Sequence, residues 1–173
     1  MKLVVLSDLH AGDAPVGGRH CDLSEVFCLR AVHDLNRRIK PDLVVVPGDL
    51  VNEGNSAGAA ERYRRLAALF RLIEADTLIL PGNHDCEERE FYRYFSRPPA
   101  FLDKGGVRFV PFIDPERPGY NAFRDPAGFT LMDRSRTSWK GRIVAVQHVP
   151  LFPPGAVPCP FNYTNADAVI AVM

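Results

Sequence analysis

The segment LVVVPGDL, residues 43–50, joins an apolar strand to a polar turn, and this arrangement recurs along the chain. Leu43–Val46 is a continuous apolar run rich in β-branched residues, which is typical of a strand buried on both faces. Gly48 allows a tight backbone path after the strand, and Asp49 places a carboxylate there. Taken alone, Asp49 is equally compatible with a bridging metal ligand and with the first residue of a turn.

The same arrangement of a strand followed by a polar turn occurs at three other apolar runs, each of which ends in a cluster of side chains that can bind a metal ion. The runs cover residues 2–6, 77–80 and 143–146. The clusters are Ser7-Asp8-Leu9-His10, Gly82-Asn83-His84-Asp85 and Gln147-His148-Val149-Pro150. Because ligand sites of open α/β sheets form outside the carboxyl ends of the strands, we expect all the clusters to meet at one site.

Two long helical segments separate the first three runs, which predicts a βαβαβ chain with a parallel sheet. Residues 22–39 carry apolar side chains at helical spacing, open with Asp22 and Glu25 as a capping box, and end before Pro41. Residues 59–75 repeat the pattern, and we interpret the arginines off their apolar stripe as a solvated face.

The later part of the chain gives weaker patterns. We predict a short helix at residues 87–95 and antiparallel or irregular strands at residues 107–113 and 129–133. Asn165 is predicted to cap a last helix. The predicted fold is therefore an α/β domain with a mixed sheet, or with two sheets stacked between helices.

The bulk composition indicates one globular domain and no strongly charged partner. The 173 residues are 46% hydrophobic and 24% charged, and the 21 Lys and Arg residues balance 21 Asp and Glu residues. This balance does not favour nucleic acid or an acidic membrane as the main partner. The N-terminal apolar run is too short for a signal peptide, so we expect a cytoplasmic protein. The four cysteines lack ligand spacing and are interpreted as ordinary thiols.

The polar clusters differ in how specific they are. Asp8 and His10 are two residues apart and point to the same side of an extended strand end, although such a pair alone is more often a turn beside a surface histidine. The segment 82–85 is the most specific, with a polar turn as its alternative reading. Carboxylate, amide and imidazole ligands together suit Mn, Fe or Zn better than the all-oxygen sites of Mg or Ca.

In order and strand context, the four clusters resemble the motifs of the calcineurin-like metallophosphoesterase family from residue 2 to about residue 150. The resemblance implies a mixed-sheet αββα sandwich with two divalent metal ions. It assigns Asp8 and His10 to the first metal, Asp49 to both metals, and Asn83 and His148 to the second. It further implies that His84 is the catalytic histidine, with Asp85 placed to help orient it.

The expected function is a metal-dependent phosphodiesterase that uses a metal-bridged hydroxide for in-line attack on the phosphorus of a small substrate. The alternatives are a phosphomonoesterase, a nuclease and a non-catalytic binding scaffold of the same fold. His20, in the loop after the first cluster, is a weaker candidate for a substrate contact. His33 is interpreted as an ordinary helix residue.

The family's terminal Gly-His-x-His motif does not occur in the chain. We therefore expect residues 1–173 to form a single metallophosphoesterase domain that is truncated at its C-terminus. A natural short form and a subunit that supplies the two histidines in an oligomer are the alternatives. If the domain is truncated, we expect residues 1–173 alone to have weak activity or none.

Overall fold

A computed structural model describes residues 1–173. The chain folds into two compact units, Met1–Arg97 and Pro98–Met173. Each unit has its own sheet and its own cluster of buried apolar side chains. None of the helices is both long and apolar enough to cross a bilayer.

The first unit is a three-stranded parallel sheet with helices in the crossover connections. Its strands are β1 (Leu3–Val5), β2 (Leu43–Val46) and β3 (Asp76–Ile79), in that order across the sheet. Its helices are α1 (Ser24–Asp34), α2 (Ala59–Phe70) and α3 (Glu88–Phe91). The parallel sheet predicted from the βαβαβ alternation is confirmed. The three strand ends therefore lie along one edge of the sheet.

Burial of the strands follows their position in the sheets. The central strand β2 is buried along its whole length, as its apolar run predicts. The prediction was wrong for β1, where Val5 is 56% exposed. β1 pairs only with β2, so it is an edge strand, and an apolar run does not distinguish an edge strand from a central one.

Helix α1 begins and ends differently from the prediction. A 3₁₀ turn, Cys21–Leu23, precedes it, and a π-helical segment, Leu35–Ile39, follows it. The predicted capping box is absent, because the helix has no side-chain cap. The Glu25 carboxylate instead pairs with Arg65 of α2, with an N–O distance of 2.8 Å. This ion pair links the two helices across the surface of the unit.

The arginines of α2 do not all belong to a solvated face. Arg64 and Arg65 have exposed side chains, as predicted. Arg62 is only 7% exposed, and its guanidinium pairs with Asp13 in the loop after β1. Burial of this arginine depends on a partner in a distant part of the sequence, so periodicity along α2 could not indicate it.

The second unit contains a mixed three-stranded sheet, a short hairpin and two helices. The sheet has the order β4 (Leu102–Lys104), β5 (Val107–Pro111), β8 (Arg142–Val146), with β4 antiparallel and β8 parallel to β5. The hairpin is β6 (Glu116–Arg117) with β7 (Asn121–Ala122), and the helices are α4 (Pro126–Arg136) and α5 (Ala166–Ala171). The fold class predicted from the sequence, α/β with mixed sheets, is confirmed.

The strand predicted at residues 129–133 is wrong, since these residues lie within α4. Asp125 caps this helix by accepting a hydrogen bond from the backbone N–H of Gly128 at 2.7 Å, and Pro126 occupies the first turn. Asp followed by Pro is a helix-start signal that outweighs a short apolar run. The helix also makes the crossover that the parallel pairing of β5 with β8 requires.

Candidate metal centre

The Asp8–His10 segment leaves β1 but stays hydrogen-bonded to the segment that follows β2. The backbone N–H of Asp8 donates to the Gly48 carbonyl at 3.2 Å, and that of His10 donates to the Asp49 carbonyl at 2.9 Å. Asp8, His10 and Asp49 all have positive φ, at 59°, 47° and 55°. Non-glycine residues adopt this conformation at a cost, and such residues cluster at functional sites.

Gly48 allows the loops after β2 and β3 to touch. It has a φ of 116°, and a Cβ atom there would collide with the backbone of Gly82. This close approach lets the backbone N–H of His84 donate a hydrogen bond of 2.9 Å to Oδ1 of Asp49. The Asp49 carboxylate is thereby fixed from the neighbouring loop.

The structure brings His10, Asp49 and His84 together as a potential metal site, with one ligand atom of each residue within 4.8 Å of the others. Nε2 of His10 lies 3.5 Å from Oδ2 of Asp49 and 3.8 Å from Oδ1 of Asp8. His10 and Asp49 are buried, whereas the Asp8 side chain is 58% exposed. Mixed imidazole and carboxylate donors at such spacing fit a divalent transition metal.

His84 is oriented by a contact that the sequence did not indicate. Its ring Nδ1 lies 2.9 Å from the backbone carbonyl oxygen of Asn52. A carbonyl only accepts, so Nδ1 carries the hydrogen and the ring presents Nε2 on its other side. The backbone N–H of Gly54 donates to the His84 carbonyl at 2.8 Å, which fastens the loop after β2 to the loop after β3.

Arg19 also lies at this site, although the sequence indicates only its neighbour His20 as a candidate for a substrate contact. Nη1 of Arg19 lies 3.1 Å from Nε2 of His10. Guanidinium has no acceptor, so Arg19 donates this hydrogen bond to the imidazole lone pair. The same lone pair would bind a metal ion, so the two interactions compete. In this state Nδ1 of His10 is buried without a partner.

Asp85 connects the loops around the site through hydrogen bonds. Its buried carboxylate accepts hydrogen bonds from the backbone N–H groups of Leu50 (3.1 Å), Val51 (3.1 Å) and Gly82 (2.9 Å). It also accepts one from the Tyr63 hydroxyl at 3.0 Å. Burial raises the pKa of Asp85, and the backbone hydrogen bonds oppose that rise. These contacts position the loops that carry Asp49 and His84.

Asn83 and His148 complete the set of residues predicted from the sequence. Asn83 is half-buried in the loop after β3, next to His84. His148 is half-buried in the second unit, directly after β8. The assignment of both residues to a second metal ion stays a prediction.

The segment before His148 is held by a buried arginine of the second unit. Nη2 of Arg124 donates to Oε1 of Gln147 at 2.8 Å, and Nε2 of Gln147 donates to the Val149 carbonyl at 3.1 Å. Arg124 is 1% exposed and also pairs with Asp114 at 2.7 Å. No sequence pattern indicated this network, because its members are far apart in the chain.

The chain is similar to known proteins in sequence and in fold. Residues 1–171 match the family described as calcineurin-like phosphoesterase. The chain is 30% identical over 98 residues to a probable glycerophosphodiester phosphodiesterase GpdQ of Arcobacter nitrofigilis, an alignment that covers 54% of this chain and 34% of the relative. The chain thus spans about a third of that relative's length.

The purple acid phosphatase PPD1 from yellow lupin seeds is a structural neighbour with a TM-score of 0.52 and 15% sequence identity. The similarity covers 79% of this chain and 27% of the lupin protein. At this level of identity the likeness shows a shared fold.

Proposed function

Because the chain belongs to the calcineurin-like phosphoesterase family, we propose that it serves as a metal-dependent phosphoester hydrolase whose substrates are phosphodiesters. The observation that carries the proposal is the cluster of buried His10 and Asp49 with half-buried His84, where the loops after three parallel strands meet. A structural turn has no need of three such side chains within ligand distance of one another.

The residues fit a centre of two divalent ions, with Mn, Fe or Zn as the candidates. In the proposed assignment, Asp8, His10 and Asp49 hold one ion, and Asp49, Asn83 and His148 hold the other. Bound divalent ions supply Lewis-acid stabilisation of the negative charge that develops on phosphoryl oxygens. The buried position of Asp49 strengthens its interaction with cations, since a low local dielectric weakens screening.

His84 is proposed as the catalytic residue. With Nδ1 held by the Asn52 carbonyl, Nε2 is the atom that holds and delivers a proton to the departing alkoxide. His84 also has a ligand atom close to His10 and Asp49, so a metal-ligand role is the competing assignment. Asp85 is proposed to act through the backbone of the loop that bears His84, as a positioning residue.

Phosphodiesters are proposed over monoesters on the strength of the Arcobacter relative, which is described as a probable phosphodiesterase. The test compares hydrolysis of bis(4-nitrophenyl) phosphate and 4-nitrophenyl phosphate by this chain in the presence of Mn²⁺. We expect weak Mn²⁺-dependent turnover of the diester, at a higher kcat/KM than of the monoester, and loss of both in Asp49→Ala. Equal rates in the wild type and Asp49→Ala would leave the non-catalytic scaffold as the better interpretation.

Other properties predicted from the sequence stay predictions. They are the cytoplasmic location, the single metallophosphoesterase domain, the state of oligomerisation and the source of the two histidines that the family's last motif supplies.

A further inference from the structure

Arg19 lies in a loop that is closed by its own backbone hydrogen bonds. Val16 and Arg19 exchange two N–H···O bonds of 3.0 Å each across a two-residue turn, in which Gly17 has a φ of 57°. The backbone N–H of Gly12 donates to the Cys21 carbonyl at 3.0 Å, which ties the two ends of the loop together. The main chain at Arg19 is therefore held in a defined position next to the candidate metal centre.

The guanidinium of Arg19 brings a positive charge to this centre. Its Nη1 donates to Nε2 of His10 at 3.1 Å, and this neutral imidazole acceptor does not compensate the charge. Arg19 is exposed, whereas His10 is only 4% exposed. The side chain thus approaches the buried imidazole from the solvent, which is also the direction from which a substrate must arrive.

Arg19 loses this acceptor whenever Nε2 of His10 serves as a metal ligand, because the nitrogen has one lone pair. The closed loop keeps the released guanidinium within reach of the centre. Cations at short range repel one another unless an anion lies between them. The anion that joins the centre of a phosphoester hydrolase during its reaction is the phosphoryl group of the substrate.

The position of Arg19 also suits contact with the reacting group. The ring centroids of His10 and His84 lie 4.8 Å apart, so the proposed metal ligand and the proposed proton donor are neighbours. A phosphoryl group that contacts both functions has its non-bridging oxygens close to the guanidinium that now lies against His10. The planar fork of N–H donors in arginine matches two such oxygens.

We infer that Arg19 is a substrate-binding residue, which holds the non-bridging oxygens of the phosphodiester. The inference rests on the proposed hydrolase function and adds a residue to its site. It concerns the phosphoryl group and leaves the alcohol portion of the substrate open. Arg19 then acts in opposite directions on two ligands: it opposes metal binding in the free chain and strengthens anion binding in the metal-loaded chain.

The test measures the Kd of inorganic phosphate for the Mn²⁺-saturated chain by isothermal titration calorimetry. Hydrogen bonds to charged groups are the stronger ones, so we expect Arg19→Met to raise this Kd by roughly tenfold or more. Arg19→Lys keeps the charge without the fork and should give an intermediate Kd. The matched control is Arg30→Met, the same substitution at an exposed arginine of α1, which should leave the Kd unchanged.

The Kd of Mn²⁺ for the phosphate-free chain distinguishes substrate binding from a structural role. Arg19→Met should lower this Kd while it raises the Kd of phosphate. A variant whose loop had lost its structure would instead bind both ligands more weakly, and that result would overturn the inference.

Equal Kd values of phosphate for the wild type and Arg19→Met would also overturn the inference, while Mn²⁺-dependent turnover of bis(4-nitrophenyl) phosphate still supported the hydrolase function. The same holds if the wild type binds no phosphate. Weaker phosphate binding by Arg19→Met in a chain without turnover would support anion binding by Arg19 and count against the hydrolase function.

Discussion

The ring Nδ1 of His84 lies 2.9 Å from the backbone carbonyl oxygen of Asn52, so a side chain after β3 is oriented by the main chain after β2. This contact restrains the rotation of the imidazole through a main-chain acceptor. It also determines which ring nitrogen is available for proton transfer. The two candidate roles of His84, proton donor and metal ligand, predict different metal contents for a variant that lacks the imidazole.

For His84→Ala, we expect kcat for bis(4-nitrophenyl) phosphate to fall by roughly 10²–10⁴-fold, because a general acid typically contributes that much. The metal content per chain should stay at the wild-type level if His84 acts on the leaving group. Metal analysis of the purified variant checks this. Loss of bound metal together with activity would assign His84 as a ligand.

Replacement of Asp85 should destabilise the first unit strongly. Asp85→Ala removes the acceptor for the backbone N–H groups of Leu50, Val51 and Gly82 and leaves them buried. We expect the free energy of unfolding to fall by roughly 3 kcal/mol. Tyr63→Phe removes one donor to the same carboxylate and the acceptor of the Cys86 backbone N–H, and should cost about 1–2 kcal/mol. Urea denaturation measures both values, and equal losses would contradict the bracing role.

Removal of Arg19 should strengthen metal binding. The guanidinium occupies the lone pair of His10 Nε2, and this hydrogen bond must break before a metal ion binds there. The net free energy of such a bond is about 0.5–1.5 kcal/mol, so Arg19→Met should lower the Kd for Mn²⁺ by roughly twofold to tenfold. Isothermal titration calorimetry of the metal-free protein measures the change. Arg30→Met, at an exposed arginine of α1, should leave the Kd unchanged.

The contact between the loops at Gly48 and Gly82 should not tolerate a side chain. Gly48→Ala places a Cβ against the Gly82 backbone at a φ of 116°, and we expect a loss of roughly 2–4 kcal/mol in the free energy of unfolding. Gly18→Ala is the matched control, since a Cβ at Gly18 meets nothing within 4 Å. Thermal denaturation of the two variants compares them. Similar melting temperatures would show that the loops separate easily.

Cys28 should make stability depend on pH in the alkaline range. Burial raises the pKa of its thiol from 9.0 to about 11. Because the unfolded chain releases this proton first, the stability contributed by the neutral thiol is fully present below pH 9 and is lost as the pH rises towards 11. The loss amounts to roughly 2–3 kcal/mol.

Comparison with Cys28→Ala isolates this effect from the other groups that titrate at high pH. The difference in the free energy of unfolding between the two proteins should shrink between pH 9 and pH 11. A constant difference across that range would show that the thiol keeps its ordinary pKa.

The sequence by itself determined the parallel sheet of the first unit and the strand-end positions of Asp8, Asp49 and His84. Both follow from short-range patterns, since an apolar run specifies a strand and the residue after it lies at the carboxyl edge of the sheet. Parallel pairing then places the edges of neighbouring strands together. The convergence of His10, Asp49 and His84 therefore follows from the order of strands and clusters along the chain.

The tertiary structure alone decided how these side chains are held. The acceptor for His84 is a backbone carbonyl, which has no signature in the residue type of Asn52. Arg62 is buried because Asp13 lies opposite it, and Arg19 meets His10 through a turn of the loop. Each of these contacts depends on the path of a loop, and local periodicity carries no information about that path. The sequence thus determined that the strand-end residues converge, and packing of the loops determined their hydrogen bonds and orientation.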